Sequence, residues 1–287
     1  LNWLTISYKK QFNKMRFILI ISFICCFQHF YSQHKDTLNI ITWNIYMRPR
    51  QIFHNDQLER ANEIVKAVLS DSIDVIVFQE IFDRKARKII TKGISTKYKY
   101  SIGPGKGAFL KLNSGVMIFS KYPIEEKSIV YYNECENSDC LAKKAAVFAS
   151  IKLNENKKIN IVGTHLQAIK GNIYTKIRSK QIDIINTLVT RIKEKQLPII
   201  FTGDFNISKG DQLFQKLINT FKSDEHTLTS DRKYSADKDN EYRIDEKNKD
   251  GELIDHIFLN KNGNQVSLEK YEVVKKTYLK KKHHNDL

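Results

Sequence analysis

The sequence is short of cysteine, of acid relative to base, of long apolar runs and of repetition, and each shortage removes a class of protein. Four cysteines stand among 287 residues, without the two spaced pairs of a cysteine-held zinc or iron–sulfur module, which argues against one. No repeat or low-complexity tract appears and no linker divides the chain, which excludes solenoids and points to one domain of the size α/β cores reach. The apolar run Phe17 to Phe27 is well short of the ~20 residues a membrane-crossing helix needs. No aromatic-interleaved base-reading module is present, which argues against sequence-specific nucleic-acid binding. Acid is outnumbered: 32 Asp+Glu face 48 Lys+Arg, a net charge of +16. That surplus favours anionic partners, whether nucleic acid or an anionic membrane face.

What is present begins with a targeting pattern. Lys14-Met15-Arg16 precedes the apolar run, and polar residues follow to Tyr31-Ser32-Gln33. A basic flank, a short apolar core and a small residue before the cut describe a secretory signal. Residues 1–33 are therefore read as an upstream extension and signal peptide, and 34–287 as one secreted domain. Beyond the signal, Cys135 and Cys140 remain. In an oxidising compartment they are expected to pair as a disulfide that closes a small polar loop and stabilises that loop alone.

Short apolar runs at Leu38–Trp43, Val75–Phe78, Val116–Phe119, Val147–Ile151, Ile159–Gly163, Ile199–Thr202 and Leu253–Leu259 read as buried strands. Between them, Gln57–Leu69 sets Leu58, Ala61, Ile64, Val65 and Val68 on one helical face, and Ile177–Ile192 does the same with Ile177, Ile184, Ile185 and Leu188. Strands mixed with helices predict an α/β or α+β layered domain. Residues 222–250 are charged and aperiodic and read as a surface loop.

The informative feature is what the apolar runs deliver. They bring Asn44, Glu80, His165, Asp204 with Asn206, and Asp255 to strand ends or next to them. Taken singly, each has an ordinary structural use: a satisfied histidine, an Asx turn, a surface carboxylate. Together they are coherent. Glu80 is a hard oxygen ligand with the Asn44 amide nearby, and Mg²⁺ prefers one or two carboxylates plus water and phosphate. Asp204 can orient or deprotonate a water, Asn206 can donate to a phosphoryl oxygen, and His165 can stabilise charge or move a proton. The set suits metal-assisted phosphodiester hydrolysis.

Thr42-Trp43-Asn44-Ile45-Tyr46, Gln79-Glu80, Gly163-Thr164-His165-Leu166-Gln167 and Gly203-Asp204-Phe205-Asn206 resemble the ordered motifs of the DNase I-like endonuclease/exonuclease/phosphatase superfamily. Asn44-x-Tyr46, the stretch Asn113 to Ile124 and His165-Leu166-Gln167-Ala168 are most similar to its bacterial neutral sphingomyelinases. The resemblance implies a four-layer sandwich of two packed sheets flanked by helices. It implies Glu80 and Asn44 at a Mg²⁺ or other divalent cation, and His165, Asp204, Asn206 and Asp255 around the scissile phosphate. It also implies sphingomyelin in a membrane as substrate, cut to ceramide and phosphocholine by a monomeric secreted phosphodiesterase. A secreted nuclease of the same superfamily is the alternative, with nucleic acid as substrate; a membrane-binding inactive relative is another.

Three departures and parallels complete the comparison. The family closes on Ser-Asp-His and a last strand, whereas this sequence ends His283-His284-Asn285-Asp286-Leu287. The domain is therefore expected to be truncated, with one strand and one catalytic histidine missing and a sheet edge left unpaired. Lys143-Lys144-Ala145 stands where the family often has Lys-Gly, so Ala145 would be strained if φ were positive there. Related enzymes carry an apolar hairpin tip near the C-terminus. Tyr278 and Leu279, among Lys275, Lys276, Lys280, Lys281 and Lys282, are the matching membrane contact.

Overall fold

The apolar runs form strands, and most extend past the run that marked them. The computed structural model describes residues 37–192, 194, 196–237 and 251–274, and the elements below belong to the unit Asn39–Leu287. The expected signal segment, the Tyr278-Leu279 tip and His283-His284 lie outside the described residues.

One sheet has the order β1-β2-β4-β3, with β1 at Ile40–Met47, β2 at Val75–Ile81, β3 at Tyr100–Ile102 and β4 at Met117–Ser120. β1 and β2 run parallel; β4 is antiparallel to both β2 and β3. Helices α1 (Gln57–Ser70) and α2 (Arg84–Ile94) cover its outer face. Ile64, Val68, Ala86, Ile90 and Ile94 bury there against Ile45, Met47, Phe78 and Phe119. Of the expected apolar face of α1, Ala61, Ile64 and Val68 are buried and Leu58 and Val65 pack at its margin.

The second sheet has the order β11-β8-β7-β6-β5. Its strands are β5 (Ile124–Tyr131), β6 (Ala145–Asn154), β7 (Lys157–His165), β8 (Ile199–Asp204) and β11 (Asp255–Asn260). Only β7 and β8 are parallel, and the crossover between them is α3 (Asn172–Thr190). With α4 (Phe214–Phe221), α3 closes the outer face over Phe148, Val162, Phe201, Phe205 and Phe258. Inside α3 the buried position is Ile182 as well as Ile177, Ile185 and Leu188, while Ile184 is only half-buried.

The sheets meet back to back where β7 carries no side chain at Gly163. A Cβ there would lie 2.6 Å from Val77 Cγ1 of the facing sheet, tighter than van der Waals packing tolerates. The result is the expected four-layer sandwich, helix–sheet–sheet–helix. A small ladder joins β9 (Ala236–Asp237), two residues within the stretch read as a surface loop of little regular structure, to β10 (Gly251–Glu252) just after it. Residues 238–250 lie outside the described ones.

Candidate functional site

The two sheets present the same rim. β1 and β2 end toward it at Asn44 and Glu80, β7 and β8 end on it at His165 and Asp204, and β11, running the opposite way, begins on it at Asp255. The pairing fixes this: Asn44 lies opposite Gln79, His165 opposite Asp204, and Asp255 opposite Asp204. Five strands therefore deliver the predicted side chains to one place.

They touch there. Asn44 Nδ2 donates to Glu80 Oε1 at 2.9 Å and to Asp204 Oδ2 at 3.0 Å, which ties the two sheets together through their carboxylates. His165 Nε2 lies 3.7 Å from Asp204 Oδ2. Asp204 Oδ1 accepts from the Asn206 backbone at 3.0 Å, and Asn206 Nδ2 donates to Leu166 O at 3.2 Å. Three rim residues hold left-handed backbone: Tyr46 at φ 50°, Glu80 at φ 55° and Asn206 at φ 51°. Such conformations cost about 1–3 kcal/mol each and persist where surrounding structure enforces them, most often at functional sites. Gly203 is required just before Asp204. Its φ is +146°, and a Cβ would stand 2.0 Å from Thr164 O.

The electrostatics are those of negative charge gathered out of water. Burial pushes Glu80 above the usual carboxylate range, against the Asn44 hydrogen bond and the Lys144 charge. Burial likewise raises Asp204. Asp255 is held well above its ordinary value by burial first and the neighbouring Asp204 next, and its Oδ1 has no hydrogen-bond partner among the described residues. His165, 4% exposed, is pushed well below its ordinary value by burial and by Lys144, so the imidazole is neutral. Its Nδ1 also lacks a partner among the described residues.

Sequence reasoning missed Lys144. It is 5% exposed, its Nζ donates to Leu166 O at 2.6 Å, and it pairs with Asp139 Oδ2 at 2.7 Å. Asp139 also accepts from the Ala168 backbone at 2.6 Å. It rides on the 3₁₀ turn Asn137–Leu141, which the Cys135–Cys140 disulfide closes. The disulfide thus forms as expected, but it does more than stabilise its own loop: the closed turn aims Asp139 at the buried Lys144 and at the segment after His165. Ala145, beside it, is not among the residues with positive φ. The strain expected of alanine in the family's glycine place does not arise, because Ala145 already lies in β6 opposite Tyr131.

The donor set fits a hard divalent cation. Asp204 raises the pKa of Glu80 and of Asp255, and Glu80 raises that of Asp255, so a cation among them would relieve a repulsion that Lys144 only partly offsets at Glu80 and Asp204. Among the described residues no group of three or more His, Cys, Asp or Glu forms a ready cage. Mg²⁺ does not need one, since it is commonly held by one or two carboxylates, waters and substrate phosphate. Asn44 is placed differently from the expected ligand. Its Nδ2 faces the carboxylates while its Oδ1 accepts from Tyr46 N–H at 3.1 Å. Its oxygen would reach a cation only with the amide turned over and that bond given up.

Comparison with known proteins places the chain in a family and supports its fold. A family described as the Endonuclease/Exonuclease/phosphatase family matches residues 41–273. The chain is 32% identical over 203 residues to a protein named sphingomyelinase C from Leptospira interrogans, covering 63% of this chain and 36% of that one. It spans about a third of the length of the Leptospira relatives it matches. It is 27% identical over 271 residues to a protein named phospholipase C from Staphylococcus aureus, covering 85% of this chain and 80% of that one. Among solved structures, a beta-toxin variant from Staphylococcus aureus with bound magnesium ions superposes with a TM-score of 0.75 at 23% identity, covering 84% of this chain and 90% of that one.

Proposed function

The chain belongs to the endonuclease/exonuclease/phosphatase family, and from that premise we propose that it is a secreted, divalent-cation-dependent phosphodiesterase that hydrolyses sphingomyelin to ceramide and phosphocholine. The observation that carries the reading is the contact of Asn44, Glu80, Asp204 and His165 across the two sheets. The relatives named sphingomyelinase C and phospholipase C support the lipid class. The disulfide suits an oxidising compartment, and the magnesium of the superposed beta toxin supports Mg²⁺ as the cation.

Glu80 would hold the cation, which when bound supplies charge stabilisation for the phosphoryl oxygens. Asp204, whose burial makes it more basic than an exposed aspartate, accepts a proton from the attacking water. Water oxygen then bonds to phosphorus while the bond to the ceramide oxygen breaks; the departing ceramide oxygen takes up a proton from solvent, and Asp204 returns its own proton to solvent, leaving ceramide and phosphocholine. Neutral His165 donates its N–H toward a phosphoryl oxygen. Asn206 Nδ2 has a second hydrogen free of the Leu166 carbonyl and donates beside it. Lys144, held by Asp139 and Leu166, keeps positive charge behind the carboxylates. Asp255 shares the negative field with Asp204.

Phosphocholine release from sphingomyelin vesicles tests the reading. Release with Mg²⁺, its loss with a chelator and its loss in Glu80→Gln are expected. Mg²⁺ should also raise the thermal midpoint of the parent and not of Glu80→Gln, which reads cation binding without turnover. Nicking of plasmid DNA without lipid hydrolysis would transfer the protein to the nuclease reading.

A further inference from the structure

Residues 106–111 are all exposed, and the loop they form closes on itself. Ala108 N–H donates to Lys111 O and Lys111 N–H to Ala108 O, each at 3.0 Å. The reciprocal pair leaves Phe109 and Leu110 as a two-residue tip. They are 91% and 83% exposed, more than any other large hydrophobic side chain among the described residues.

Local energetics disfavour those residues there. Leu110 has φ 59°, a conformation that glycine, asparagine or aspartate adopts with least strain in a tight turn. A polar pair would relax the backbone and remove apolar surface from water at once. Strain kept together with exposed apolar surface is a mark of function rather than of folding.

The tip stands on a fixed base. Tyr131 Oη accepts from Lys106 N at 3.0 Å, and Lys143 Nζ lies 4.1 Å over the Tyr131 ring. The return limb is tied to the segment 141–143 through both backbone groups of Leu112: its N–H donates to Leu141 O at 2.7 Å and its carbonyl accepts from Lys143 N–H at 3.1 Å. Leu141, whose carbonyl takes the first of these bonds, is itself 60% exposed. The same limb leads to the site, since Ile81 N–H, next to Glu80, donates to Gly115 O at 3.0 Å and Lys143 precedes Lys144.

We propose that the Phe109–Leu110 turn, with Leu141 paired to its return limb, is a lipid-surface anchor that enters the headgroup layer of a bilayer while Lys106, Lys111 and Lys143 face anionic headgroups. A bilayer is the occupant the shape fits. A specific protein partner needs on the order of 1,000 Å² of complementary surface, which a two-residue convex tip does not offer. A membrane accepts an isolated apolar tip ringed by lysines, and the chain's charge of +16 has the complementary sign. The anchor is separate from the Tyr278-Leu279 tip expected near the C-terminus, and it deepens the lipid-hydrolase reading, on which it rests.

The full chain and a Phe109→Ser, Leu110→Asn double variant are floated with vesicles of phosphatidylcholine and sphingomyelin, with and without phosphatidylserine. Turnover of p-nitrophenyl phosphocholine, a soluble phosphodiester, is read alongside. The double variant should partition about tenfold more weakly or worse, at unchanged soluble turnover and a thermal midpoint no lower than the parent's. Lys106→Glu with Lys111→Glu should lose binding mainly to vesicles containing phosphatidylserine. Phe109→Trp should shift its emission to the blue when vesicles are added. Equal partition of parent and double variant, or no shift from the tryptophan, overturns the anchor. A parent that binds through the tip but cleaves neither sphingomyelin nor the soluble ester leaves the anchor standing and removes the hydrolase reading instead.

Discussion

Two acidic regions lie three residues apart in the chain and behave in opposite ways. Asp83 is 2% exposed and fully engaged. Its Oδ1 caps α2 by accepting from Lys85 N at 3.0 Å and Ala86 N at 2.9 Å, and its Oδ2 accepts from Arg50 N at 3.1 Å and Arg50 Nε at 3.0 Å. Burial alone would raise its pKa, but the bonds from Ala86 and Arg50 outweigh burial and hold it below the usual range. Glu80, Asp204 and Asp255 are also taken out of water, and there burial wins. A carboxylate whose lone pairs are filled is scaffold. Carboxylates crowded together with oxygen left over are waiting for charge from outside the chain.

Substitution separates the two. Glu80→Gln and Asp204→Asn keep shape and one acceptor oxygen while removing charge. Turnover should fall on the order of 10³-fold or more, and stability in urea should hold or rise because repulsion at the rim is relieved. Loss of stability at the rim would put these residues with Asp83 and end the distinction. Asp83→Ala should do the reverse. Losing a cap and the partner of Arg50 costs about 3 kcal/mol in urea unfolding, with turnover of the remaining folded protein near the parent's.

Two buried histidines extend the contrast. His165 sits in the rim with Nδ1 unpartnered among the described residues. His256 lies among Phe205, Phe214 and Phe258, its Nε2 2.7 Å from Ile207 O. Burial lowers the His256 pKa from 6.5 to about 4. The unfolded chain therefore takes up a proton near pH 6.5 that the folded chain refuses until about pH 4, and this part of stability is lost as pH falls across that window. Between pH 7 and pH 5 the parent should lose about 2 kcal/mol more than His256→Phe. Parallel pH–stability curves would show that His256 is not held neutral.

How much of this was legible depends on the kind of signal each part leaves. The rim was readable because apolar runs ended on Asn44, Glu80, His165 and Asp204, and strand ends carry side chains to a shared edge. β5 was not, because Ile124-Glu125-Glu126-Lys127-Ser128 mixes charge into an edge strand with partly exposed faces. α2 was hidden by its lysines, although Asp83 followed by Ala86, Ile90 and Ile94 is a cap and an apolar stripe in retrospect. Lys144 was visible only as part of the Lys143-Lys144-Ala145 run, with nothing local to mark it as the buried one. In a chain so rich in lysine, one of two adjacent lysines is distinguished only by a tertiary event, the delivery of Asp139 by the disulfide-closed turn.

Ala145 shows the same limit from the other side, with the smallest effect. A family pattern with glycine at this place suggested a backbone that alanine could not follow. Here Ala145 is fully buried, begins β6 and pairs with Tyr131, so its Cβ fits and its backbone is extended. Restoring the family residue with Ala145→Gly should destabilise the protein by about 0.5–1 kcal/mol, through the added freedom of the unfolded chain. A stabilised Ala145→Gly would mean that alanine is strained after all. The loop joining the disulfide turn to Lys144 would then belong with Glu80 and Asn206, whose left-handed backbone the fold enforces at the rim, and not with the relaxed scaffold that Asp83 represents.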